Sequence, residues 1–239
     1  MKRALVSLCF AFVPGLSASA ASDINSVDQL VQAEFRQLSE DLGAALSYKA
    51  VIPVASLGIT GFDVGFEVTA TKIENRAAWD RASSGDAPST LYVPKVHIHK
   101  GLPLRLDVGA FYAQVPSSNI SLWGAELRYA LIEGGVTTPA VGVRGTYSKL
   151  SGVDQLDLDT RGVELSISKG FTLLTPYAGV GRIWTDSRPQ KVSNVTGEDF
   201  ALTKVFAGAN FNLAVINFAV EADRTGDANT YSAKIGWRF

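Results

Sequence analysis

From residue 43 onward, apolar and polar residues alternate one for one in segment after segment, the period of a β-strand with two unlike faces. Phe62, Val64, Phe66 and Val68 stand against Asp63, Gly65 and Glu67. Tyr92, Val96 and Ile98 oppose Lys95, His97 and His99; Leu104, Leu106 and Val108 oppose Arg105 and Asp107. The unit recurs with Trp123, Leu127 and Leu131 against Glu126 and Arg128, and with Val141 and Val143 against Arg144. Val163 and Leu165 oppose Glu164, Val205 and Phe211 oppose Lys204, and Phe218 and Val220 oppose Glu221 and Asp223. The last strand sets Tyr231, Ala233, Ile235, Trp237 and Phe239 against Ser232, Lys234, Gly236 and Arg238. Only residues 176–186 are ambiguous, because Arg182 and Trp184 share a parity.

One segment has a different period. Val27, Leu30, Val31, Phe35, Leu38 and Leu42 recur at spacings of three and four, which predicts an amphipathic helix over 26–42. Ser26 and Gln29 have capping-box spacing, and Gly43 suits a C-terminal stop. Two positions are open to such a helix: a cap across a barrel mouth, or a plug in the lumen.

Alternation alone does not distinguish a soluble sandwich, apolar side inward, from a membrane barrel, apolar side outward. Three features favour lipid. The strands run about ten residues, enough to cross a bilayer at a tilt, where soluble strands average about five or six. Connections alternate between short ones (101–103, 173–175, 214–215) and mostly longer ones (75–90, 153–159, 187–199). Aromatic residues gather at the two ends of the apolar faces: Tyr92, Tyr112, Trp123, Tyr147 and Tyr231 at one, Phe62, Phe171, Phe211, Phe218 and Phe239 at the other. Membrane interfaces select such girdles. The expected fold is all-β, a transmembrane antiparallel up-and-down β-barrel of about ten strands with an N-terminal helix. Residues 44–54 also alternate, so an eleventh strand with an unseen partner, twelve in all, is the alternative.

The first residues add a destination. Lys2 and Arg3, a short apolar run over 4–16 and the small residues Ala18-Ser19-Ala20 make a secretory signal peptide. The run is shorter than the roughly 20 residues a spanning helix needs. The domain layout is therefore a signal peptide over 1–20, a helix and plug or first-strand segment over 21–54, and the barrel over 55–239. Cleavage removes the only cysteine, so no disulfide, thiol nucleophile or thiolate metal site remains. It also leaves 20 of 22 basic residues against 23 acidic ones, which excludes a strongly basic nucleic-acid surface.

The terminal strand, alternately apolar and closing on Phe239, resembles that of bacterial outer-membrane β-barrel proteins. The resemblance implies outer-membrane lipid as surroundings and barrel-assembly machinery as a partner that reads an insertion signal at Tyr231, Ile235, Trp237 and Phe239. A helix ahead of a barrel also resembles the long-chain fatty-acid transporters, although those have more strands and no residue motif carries over.

The polar face is the candidate site. Glu67, Lys95, His97, His99, Arg105, Asp107, Glu126, Arg128, Arg144, Glu164, Lys204, Glu221, Asp223, Lys234 and Arg238 nearly balance in charge, so a web of lumen ion pairs is expected. The bland reading is structural filler, because about eight strands already leave room only for side chains; the sharper one is a polar conduit. His97 and His99 share a strand face, and two imidazoles could begin a metal site, but no third ligand is evident from sequence. Barrel lipid hydrolases place a serine two residues after the histidine; here Gly101 stands in that place after His99. No catalytic residue, metal or cofactor is assigned. The expectation is a non-enzymatic barrel, structural or passing a small or hydrophobic solute, with a lipid-modifying enzyme or a loop-borne receptor or adhesin as alternatives. The helix is expected within or across the mouth on the C-terminal side, restricting passage.

Overall fold

The computed structural model describes residues 23–239 apart from 84, 86 and 136; the signal-peptide assignment lies outside the described residues. Ten antiparallel strands form one closed barrel in sequence order: β1 (Phe62–Lys72), β2 (Thr90–Gly101), β3 (Leu106–Gln114), β4 (Ser121–Glu133), β5 (Ala140–Ser151), β6 (Leu156–Ser168), β7 (Leu174–Pro189), β8 (Glu198–Leu213), β9 (Ile216–Thr225) and β10 (Ala228–Arg238). The seam joins β1 to β10, from Asp63 opposite Arg238 to Thr71 opposite Thr230. Phe62 and Phe239 extend it by exchanging backbone hydrogen bonds of 2.6 and 3.0 Å. Closure leaves no open edge, as hydrocarbon requires. We call the end holding Phe239 and the turns at 102–105, 134–139, 169–173 and 214–215 the C-terminal rim. The opposite end, with loops at 73–89, 115–120, 152–155, 190–197 and 226–227, is the loop rim.

The faces sort as the alternation requires. Leu127, Val163, Val180, Val205 and Val220 lie outward and about half exposed, while Glu67, Lys95, Arg128 and Lys204 are buried inside. An apolar exterior around a charged interior is the pattern of a barrel in lipid. In β7 the ambiguity resolves with Arg182 and Trp184 outward and Ile183 and Thr185 inward. The Arg182 guanidinium donates to Thr203 Oγ1 across the strand pair at 2.9 Å.

Three expectations about the N-terminal segment need correction. First, residues 44–54 form no strand: among the described residues they join no ladder, and Val51 breaks the extended run with φ of 47°. Their alternation has no two-faced meaning, since Lys49 and Val51 are as buried as Tyr48 and Ala50. Second, the helix is displaced along the chain. Val27–Gln29 is a single 3₁₀ turn, Leu30 and Val31 are extended, and α1 runs Gln32–Leu46. Ser26 makes no side-chain cap; Glu34 instead reaches back to accept from the Val31 N–H at 3.2 Å. Gly43 does not end α1. It lies against β7, where an added Cβ would fall 2.7 Å from Thr185 Oγ1.

Third, the helix lies at the loop rim, at the end opposite the expected one. Asn119 accepts from the Ile24 N–H, Gln155 from the Val27 N–H, and Asn194 donates to the Leu30 carbonyl, all from connections of the loop rim. The chain then descends the lumen and reaches the C-terminal rim, where Asp107 accepts from the Leu57 N–H, before entering β1. The cause is an apolar layer in the wall itself. Leu91, Val93, Phe111, Leu122, Leu150 and Leu158 face inward near the loop rim and pack with Phe35, Leu38, Leu42 and Leu46. A stripe of this kind avoids a charged wall and takes the apolar one; each such side chain buried is worth about 1.5–3 kcal/mol.

A short helix in the first loop, α2 (Arg76–Ala82), closes the top of this core with Trp79. Asp41 on α1 holds it, accepting from Asn75 N at 2.9 Å and Trp79 Nε1 at 3.1 Å. Burial pushes the Asp41 carboxyl up, and these hydrogen bonds oppose the shift.

Candidate functional site

Below the apolar layer the lumen is a charged web, built because the inward parity of most strands carries charged residues toward the C-terminal rim. On β1 and β10, Asp63 accepts from Lys234 Nζ at 3.1 and 3.2 Å and from Arg238 Nε at 2.7 Å. Next to it, Lys95 pairs with Glu67 at 2.9 Å. Arg128 grips Asp107 through Nε and Nη2 at 3.2 and 3.0 Å. A chain of four groups crosses β4 to β8: Glu126 meets Arg144 at 3.0 Å, Arg144 meets Glu164 at 2.8 Å, and Glu164 meets Lys204 at 2.7 Å. Apart from the partly exposed Arg238, these side chains are essentially removed from solvent. Such pairs do little for net stability when intact, yet removing one partner costs about 3–5 kcal/mol.

The same cations hold the descending chain. Lys204 donates to the Tyr48 carbonyl at 3.1 Å, Arg128 to the Pro53 carbonyl at 3.0 Å and Arg144 to the Ile52 carbonyl at 3.5 Å. Ser148 donates to the Leu46 carbonyl at 2.7 Å. An extended peptide without ladder partners must satisfy its carbonyls elsewhere, and here the wall's cations do so. The segment contributes its own charge as well: Lys49 Nζ is buried and donates to the Ala44 carbonyl at 2.7 Å.

Of the residues singled out from sequence, the structure brings Glu67, Lys95, His97, His99, Asp107, Glu126, Arg128, Arg144, Glu164, Lys204, Lys234 and Arg238 into this web. Arg105 is a correction. It lies in the 3₁₀ turn Pro103–Arg105 at the C-terminal rim, half exposed, with Glu133 at 3.5 Å. Alternation stops meaning inward and outward once the strand has ended, and β3 begins only at Leu106. Glu221 and Asp223 face inward from β9, but among the described residues neither has a cation within 4.0 Å; Asp223 accepts instead from the Thr225 hydroxyl at 2.9 Å. Tyr231, Ile235, Trp237 and Phe239 line the outer face of β10, all about half exposed or more.

Sequence reasoning left out two members. Asp63 is the hub of two cations and two imidazoles, and its inward parity with Glu67 was a sufficient signal. Lys49 carried no such signal, because its segment is not a strand.

Asp63 also supplies what the two histidines lacked. His97 Nε2 lies 3.2 Å and His99 Nδ1 3.9 Å from Asp63 Oδ1. The ring neighbours on the far side are Glu67, 3.8 Å from His97 Nδ1, and Glu126, 3.5 Å from His99 Nε2. Tyr48 Oη is 3.4 Å from His99 Nε2. The groups facing the histidines are thus carboxylates and a phenol, with no serine among the described partners.

A closed, even-stranded antiparallel barrel with an apolar exterior and a filled interior is a membrane-spanning β-barrel. No family model and no curated protein matches the chain. Solved structures similar to it include the N-terminal β-barrel domain of OprF from Pseudomonas aeruginosa, 11% identical over 74% of this chain and 97% of that one, with a TM-score of 0.39. The β domain of the Bordetella autotransporter BrkA is 12% identical over 75% and 99%, with a TM-score of 0.41. The KdgM porin is 11% identical over 75% and 99%, with a TM-score of 0.36. These are bacterial outer-membrane barrels of diverse roles, and likeness at this level carries no inference about activity.

Proposed function

We propose that this protein is a non-enzymatic integral outer-membrane barrel whose lumen is sealed by its own N-terminal segment. The observation that carries the reading is the unbroken burial of that segment from Asp41 to Val54, with Phe35, Leu38 and Ser39 buried above it, apolar against the wall near the loop rim and bonded to wall cations below it. Passage of a small or hydrophobic solute then requires the segment to move. The apolar layer beneath the loop rim is the part of the lumen that suits a hydrophobic solute.

Orientation follows from the resemblance of β10 to outer-membrane terminal strands: the C-terminal rim faces the periplasm and the loop rim faces outward. The segment around Ile24 then emerges at the cell surface. In planar bilayers the refolded wild-type barrel is expected to give no conductance steps; steady open steps would contradict the sealed lumen.

The insertion signal is part of the same proposal. Phe239 closes the seam through its backbone and lies 5.7 Å, ring to ring, from Phe62. Phe239→Ala is expected to lower assembly into the outer membrane while leaving secretion intact. Wild-type yield of heat-modifiable barrel on cold SDS gels would refute that role.

A further inference from the structure

Asp63, His97 and His99 place one ligand atom each within 4.8 Å of one another, all three residues being buried. We propose that this cluster is a binding site for a borderline divalent transition metal of the zinc type. The site is independent of whether the lumen opens.

The geometry has four parts. The atoms that converge are His97 Nε2, His99 Nδ1 and Asp63 Oδ1. Two imidazoles and one carboxylate are a donor set such ions accept, with positions left for water. Each ring also has a carboxylate beside its other nitrogen, Glu67 for His97 and Glu126 for His99. At 3.8 and 3.5 Å these carboxylates are not hydrogen-bonded to the rings, but they stand where an outer partner of a metal-bound imidazole belongs.

The third part is a polar deficit. His99 Nδ1, fully buried and aimed at Asp63, has no hydrogen-bond partner. Asp63 needs no imidazole for its own sake, since Lys234 and Arg238 already neutralise it. A buried lone pair left unmade costs about 1–3 kcal/mol, and a cation between the rings and Oδ1 satisfies it. The fourth part is room made by glycine. A Cβ on Gly109 would fall 2.3 Å from His99 Cδ2, and one on Gly65 3.1 Å from His97 Cε1.

Lys234 is the competitor. Its ammonium contacts Asp63 Oδ1, the oxygen the metal would use, whereas Arg238 contacts Oδ2 and can stay as an outer partner. A flexible four-carbon stem lets the ammonium withdraw. Metal would reach the site from the C-terminal rim, beside the partly exposed Arg238.

The test is a titration of untagged, refolded full-length barrel with Co(II), read by its visible ligand-field bands, followed by displacement with Zn(II). One Co(II) per chain is expected, released stoichiometrically by zinc. Lys234→Met should tighten binding at least about tenfold, the size typical of outer-partner changes. His99→Gln, which keeps the bulk of the ring, should lose the bands while retaining heat-modifiable mobility. The proposal is overturned if folded wild type and Lys234→Met both take up no stoichiometric Co(II). It is equally overturned if folded His99→Gln binds as wild type does. Should His99→Gln not fold, the Lys234→Met affinity decides alone.

Discussion

Deleting residues 23–54 is expected to turn a silent barrel into a conducting one. The deletion removes α1 and the descending chain but keeps residues 57 and 58, which are tied to Asp107 and Ser56 near the C-terminal rim. Arg128, Arg144 and Lys204 lose carbonyl partners, yet water entering the lumen replaces those bonds. The apolar layer fares worse, because Leu91, Val93, Phe111 and Leu158 become wetted at roughly 25 cal/mol per Å². The deleted barrel should therefore conduct in discrete steps and melt at a lower temperature than wild type. Cold SDS gels report whether it remains folded. A folded deletion variant that stays silent would mean that the wall charges close the lumen by themselves.

The second large effect is expected at Asp107. This carboxylate is fully buried, accepts from Arg128 Nε and Nη2, and accepts from the Leu57 N–H at 3.0 Å and the Ser56 hydroxyl at 3.3 Å. It therefore joins the wall to the descending chain as well as neutralising a cation. Asp107→Ala leaves Arg128 buried without its carboxylate and should cost about 3–5 kcal/mol in urea unfolding. Asp107→Ala with Arg128→Met should recover part of that loss, because an apolar pair of similar volume avoids the stranded charge. Equal destabilisation by the single and double variants would show that the cost lies elsewhere, in the lost contacts to Ser56 and Leu57.

The barrel was legible because its chemistry repeats. Each strand except β7 states its two faces in its own residues, and the girdles of Tyr112, Trp123 and Tyr231 against Phe171, Phe211 and Phe239 set its ends. Arg105 shows the limit of that reasoning: parity has meaning only while the strand lasts. The N-terminal segment was harder for a physical reason. Inside a barrel an extended chain is surrounded on every side, so alternation such as Leu46, Tyr48, Ala50 and Ile52 no longer separates two environments. The place of α1 depended on a feature spread over several strands. Leu91, Phe111, Leu122, Leu150 and Leu158 are distant in sequence, and only the folded barrel brings them into one cluster. The third ligand of the histidine pair was hidden in the same way, since Asp63 faces His99 only through the pairing of β1 with β2.

The most direct test of the account is a disulfide between α1 and the barrel wall. Ser39 Oγ on α1 and Ser187 Oγ on β7 lie 2.7 Å apart, both buried, beside the loop rim. The only cysteine in the sequence, Cys9, lies outside the described residues, and Cys9→Ser removes it as a competing thiol. Ser39→Cys with Ser187→Cys should oxidise to an intramolecular bond in nearly every folded molecule. Ser39→Cys with Asn217→Cys, which faces inward near the C-terminal rim, should not. The reverse result, a bond to position 217 and none to 187 in a folded barrel, would put the helix at the wrong end and contradict the sealed lumen described here.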